Sequence, residues 1–128
     1  MNYYFSKVLS VSFEEAVALV TQKLKEQGFG VITEIDVTQT LKAKIGVDFR
    51  PYRILGACNP TLAHEALKLE DKVGTMLPCN VVVQELEPGR IEVAAIDPVA
   101  SMAAIDNPAL LEKAALVREK LETVIESL

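Results

Sequence analysis

From Tyr3 to Val11 large apolar side chains alternate with smaller or polar ones (Tyr3, Phe5, Lys7, Leu9, Val11), the period of a half-buried strand. The period then lengthens. Phe13, Ala16, Val17, Val20 and Leu24 recur at helical spacing, and Gly28 supplies a left-handed stop. Ser12 and Glu15 stand where a capping box places them, with Glu15 expected to bond back to the Ser12 amide. Phe29 to Val37 reads as a second strand with Val31, Ile35 and Val37 on one face, followed by a weaker helical segment from Thr38 to Ile45 closed by Gly46. Tyr52 to Cys58 is the third strand. Asn59-Pro60 then joins an N-cap residue to a proline at the first helical position, opening a helix with Leu62, Ala63, Ala66, Leu67 and Leu69.

A loop through Gly74 and Pro78 leads to a fourth strand, Cys79 to Val83, and Pro88-Gly89 forms a type II turn into a fifth, Arg90 to Ile96. Asp97-Pro98 ends the sheet. Asn107-Pro108 repeats the cap-then-proline device and opens the longest helix, to about Ser127, with Leu110, Ala114, Val117, Leu121, Val124 and Leu128 along one stripe. The order β-α-β-(short α)-β-α-β-β-α predicts an α/β fold of the α+β type, a mixed five-stranded sheet with amphipathic helices, in one domain over 1–128.

Composition narrows the function classes. Half of the residues are apolar and 24% are charged, which suits a packed core, and no Pro, Gly or Ser run is long enough to be a linker. The net charge of −5, with lysines and arginines scattered, lacks the basic stripe that neutralises phosphates, so neither nucleic acid nor an anionic membrane surface is an expected partner. The first residues have no basic segment followed by an apolar one, and no apolar run approaches the ~20 residues of a membrane span, so a cytoplasmic location is expected. Cys58 and Cys79, 21 residues apart, form no C-x-x-C and are expected to be thiols. The usual signals for nucleotide binding, α/β-hydrolase and zincin chemistry (G-x-G-x-x-G, the P-loop, G-x-S-x-G, H-E-x-x-H) are absent, and no cofactor is assigned.

Gly56-Ala57-Cys58-Asn59-Pro60, followed by Ala63-His64-Glu65-Ala66-Leu67, resembles a motif of the domain-of-unknown-function 302 family of small bacterial and archaeal proteins. Leu77-Pro78-Cys79-Asn80-Val81 and Asp97-Pro98 are similar to its other two motifs, in the same order. The resemblance covers nearly the whole chain. It implies a compact α/β fold and homodimers, and it supplies no reaction.

Cys58 ends a strand immediately before a capped helix, where unpaired amides and the helix dipole favour a thiolate; the alternative is a small thiol packed in the core. Cys79 leads into a run of valines and is better read as a core thiol. If their strands run parallel the two cysteines lie some 20 Å apart, at ~3.3 Å per residue. If the strands are antiparallel, the cysteines share one end. The sequence does not choose. His64 projects onto the polar face of its helix with Lys68 and reads as a surface residue, so a metal set of Cys58, Cys79 and His64 is disfavoured and no metal is expected. Asp97 either caps a turn or accepts a bond from a ligand, and Arg50 and Arg53 either meet an anion or lie in solvent.

Three functional expectations follow. The first is a binding module for a small molecule or anion near the Asn59-Pro60 helix start, with Asn59, Asn80 and Asp97 around the ligand. The second is a thiol enzyme or sulfur or redox carrier using Cys58 with Cys79. The third is a homodimeric interaction domain, since a five-stranded sheet with few long helices leaves apolar surface, such as one side of Val81-Val82-Val83, needing cover.

Overall fold

The computed structural model describes residues 2–128. Strands β1 (Tyr4–Leu9), β2 (Gly30–Asp36), β3 (Tyr52–Cys58), β4 (Cys79–Glu87) and β5 (Arg90–Ile96) form one sheet in the order β1-β5-β4-β3-β2. Helices α1 (Phe13–Glu26), α2 (Val37–Ile45), α3 (Pro60–Leu69), α4 (Pro98–Ser101) and α5 (Pro108–Glu126) connect and cover them, with a 3-10 turn at Asp71–Met76. The expected α+β class and five strands are present. The sheet, however, is antiparallel at every pairing and not mixed. The connection through α2 and residues 46–51, and the one through α3 and the 3-10 turn, each go out and return to the same end of the sheet. Each therefore joins antiparallel neighbours, whereas a single crossover helix joins parallel ones.

Local chemistry sets the helix starts. Asn59 and Asn107 accept the amides of Leu62 and Leu110 at 3.3 and 3.1 Å, with proline next in both cases. Ser12 accepts the Glu15 amide at 3.2 Å, and its hydroxyl also donates to the Glu15 carboxylate at 3.1 Å, so the reciprocal contact runs between side chains and not to the Ser12 amide. Gly46 ends α2 at φ +70°, and Gly89 takes φ +78° in the β4–β5 turn, where a Cβ would be strained.

One face of the sheet is covered and the other is open. Leu55, Ala57, Cys79, Val81, Val83, Ile91, Val93 and Ala95 alternate inward and pack against Ala16, Val20 and Leu24 of α1 and Leu121, Val124 and Ile125 of α5. A second cluster joins Ala66, Val73, Met102, Leu110 and Ala114 under α3 and α4. On the opposite face Ala94, Val82, Ile54 and Ile35 pair in register as one row across four strands, and among the described residues no helix packs over this row. A bulge between Val31 and Thr33 shifts the parity of β2. Val31 therefore pairs with inward-facing Ala57 and joins the core, while Ile35 pairs with outward-facing Ile54 and is 49% exposed. The two do not share a face as their spacing predicted.

Candidate functional site

The antiparallel pairing settles where the two cysteines lie. Ala57 pairs with Cys79, so Cys58 and Cys79 occupy the same end of the sheet on neighbouring strands. There a cavity of about 330 Å³ lies between α3, α5 and the end of the sheet. Its walls are apolar: Phe29 and Ala57 from the sheet side, Leu62 and Ala66 from α3, Leu110 and Ala114 from α5, closed below by Leu77 and Pro78. The Leu77–Pro78 peptide is cis. Among the described residues, Cys58, Asn59, Cys79 and Lys113 are the only lining residues with a polar or ionisable side chain.

Each predicted site residue now has a place. Cys58 is half-buried in the cavity wall and Cys79 is buried beside it; neither is in a disulfide. Burial, with a smaller contribution from neighbouring Cys58, pushes the Cys79 thiol from its ordinary value near 9 up to about 11, because desolvation disfavours thiolate. Asn59 lines the cavity, but its Oδ1 is committed to capping α3. Asn80 pairs with Gly56 one residue beyond Cys79, so its exposed side chain stands on the opposite face and does not line the cavity. Asp97 is buried and fully engaged. It accepts the Val99 and Ala100 amides at 3.0 and 3.4 Å, capping α4, and the Arg118 Nε at 3.1 Å. Of the trio Asn59, Asn80 and Asp97, the fold brings only Asn59 to the cavity.

His64 is exposed. Arg53 is held by Glu14 at 3.0 Å and Glu34 at 3.2 Å, at the far end of β3 from Cys58. The Glu14 bond and the surrounding carboxylates raise its pKa against the effect of burial. Arg50 donates to Gln84 at 2.8 Å and lies over the Phe49 ring. Among the described residues no three His, Cys, Asp or Glu side chains gather as a metal set, and no helix is long and apolar enough to cross a membrane.

Two features escaped the sequence reading. One is Lys113, whose stem lines the cavity while its ammonium meets Glu65 of α3 at 3.1 Å. The other is the small facing surface made by Ala63 and Ala66 of α3 and Ala114 of α5, which leaves the space unfilled. Alanines at helical spacing on both helices were the available signal, though they look the same when helices pack closely.

A family model described as "Domain of unknown function DUF302" matches residues 5–128. Among solved structures, an uncharacterized conserved DUF302 protein from Bacillus stearothermophilus superposes with a TM-score of 0.90 at 31% identity, covering 98% of each chain. No curated protein matches.

Proposed function

This chain belongs to the family designated domain of unknown function DUF302, and we propose that it is a binding module for a small, largely apolar molecule held between α3, α5 and the Cys58–Cys79 end of the sheet. The observation that carries this is the cavity itself. At about 330 Å³ it falls at the small end of the ~300–1,000 Å³ usual for ligand pockets, and its walls are apolar with a few polar groups at defined points. The pocket opens to solvent beside exposed Ile32 and Leu67, so a molecule that enters it takes apolar surface out of water. The test is untargeted mass spectrometry of small molecules released from native protein, with Ala66→Phe, which fills the space, treated identically. A compound present in the wild type and missing from the variant is expected. Identical extracts from the two proteins would refute the reading.

The thiol reading rests on Cys58 alone, since Cys79 is held protonated by its surroundings. We infer a second role for the open sheet face. The row Ala94, Val82, Ile54 and Ile35, flanked by exposed Val8 and Tyr4, is an apolar surface suited to a second copy of the chain. Of the three valines in β4, only Val82 contributes to it, since Val81 and Val83 are fully buried under the helices. Light scattering at micromolar concentration should give a dimer, and Ile54→Glu should give a monomer. A wild-type monomer removes this role.

A further inference from the structure

Among the described residues the cavity has one cation, Lys113, and that cation already holds a carboxylate. We propose, building on the apolar-cavity reading above, that the natural ligand class is a monocarboxylic acid with a hydrocarbon tail, whose carboxylate takes the place of Glu65 on Lys113. The tail lies along Leu62, Ala66, Leu110 and Ala114, and the head reaches the rim.

The geometry supports this in three ways. Lys113 comes from α5 and Glu65 from α3, the two helices that wall the cavity, so their 3.1 Å pair spans the gap between those walls. Both side chains are about one-third exposed, 35% and 37%, which places the pair at the rim, where a charged head keeps part of its hydration. Among the described residues, neither forms another ion pair. Glu65 does not line the cavity, whereas the stem of Lys113 does. A ligand carboxylate entering along that stem reaches the ammonium, and Glu65 returns to water at little cost because a partly exposed ion pair is weak. Lys113 is the one charged group among the described lining residues; the others with polar atoms, Asn59, Cys58 and Cys79, are a neutral amide and two thiols.

The experiment is a calorimetric titration of the intact protein with octanoate and, separately, with 1-octanol, the same chain without the charge. Octanoate should bind more tightly than octanol by about two- to fivefold, the scale of one partly exposed charge pair. Lys113→Met, which keeps an apolar stem of similar length, should erase that ratio. Glu65→Gln should strengthen octanoate binding several-fold by removing the competing carboxylate. Ala66→Phe, or Ala63→Leu if the first is unfolded by circular dichroism, should abolish binding of both. If both compounds bind equally in the wild type and Lys113→Met leaves the ratio unchanged, the carboxylate inference is overturned while the apolar cavity stands. If neither binds, or if the cavity-filling variants bind as well as the wild type, the cavity reading and this inference fall together.

Discussion

Gly56→Ala adds one methyl at the point where the sheet can least accept it. Gly56 is buried in the middle of the sheet, and its backbone lies outside the left-handed region, so the reason for glycine is space and not backbone conformation. A Cβ built there comes within 2.0 Å of Thr33 Oγ1 and 2.7 Å of Pro78 Cγ. Thr33 is exposed and its side chain can rotate away; the Pro78 ring cannot. Relieving it means moving the backbone that leads into β4. Overpacking of this kind costs about 1–3 kcal/mol, while replacing glycine by alanine returns about 0.4–1 kcal/mol through the unfolded chain. The expected net loss is about 1–2 kcal/mol. Urea denaturation followed by circular dichroism reads it as a lower midpoint at unchanged slope. Thr33→Ala in the same background should recover only part of the loss, because the proline contact persists. A Gly56→Ala protein as stable as the wild type would refute the reasoning and show that the segment carrying Pro78 is easily displaced. Since Pro78 also closes the cavity, the same variant should weaken octanoate binding.

Asp97→Ala should cost about 2–4 kcal/mol by removing both the α4 cap and the charged hydrogen bond from Arg118, whereas Asp97→Asn should retain the cap and lose less; equal midpoints for the two variants in urea would count against this division. In native protein near neutral pH, iodoacetamide should label Cys58 well before Cys79, followed by peptide mass spectrometry with an unfolded control; Cys79 labelling first would contradict its burial. The raised Cys79 value also has a linkage consequence. The folded state prefers the protonated thiol, so its contribution is fully present below about pH 9 and is lost as pH rises through about 11, by about 3 kcal/mol in all. Cys79→Ala should therefore flatten the alkaline decline in stability relative to wild type, and parallel curves would refute the assignment.

Elements were legible in the sequence because their signals are local. The caps at Ser12, Asn59 and Asn107, the Pro88-Gly89 turn and the apolar stripe of α5 each act within a few residues, and each is where the pattern put it. Strand pairing is a long-range property. Nothing near Cys58 or Cys79 says whether their strands run together or apart, so a shared end for the two thiols stayed one of two possibilities until the pairing of Ala57 with Cys79 was seen. Asn80 illustrates the same point: adjacent to Cys79, it was expected beside a ligand, yet the two-residue period of a strand turns it to the other face. The Val31–Thr33 bulge shifted a parity that alternation alone cannot reveal. Lys113 was invisible as a site residue because its cavity is made by Ala66 and Ala114, residues from two helices nearly fifty positions apart.

The strand order also dictates when the fold can close during synthesis. Tyr4 of β1 pairs with Ile96 of β5, and α5 then packs on both strands, so β1 waits for β5 to be made. At ~5–20 residues per second, the 92 positions that separate these partners take roughly 5–20 s to appear. Meanwhile β2, β3 and β4 can assemble as a meander under α1, while Phe5 and Leu9 of β1 still lack β5 and α5. The nascent chain thus carries the apolar side of β1 uncovered for seconds, an interval open to a holding chaperone, and one that ends only when α5 arrives.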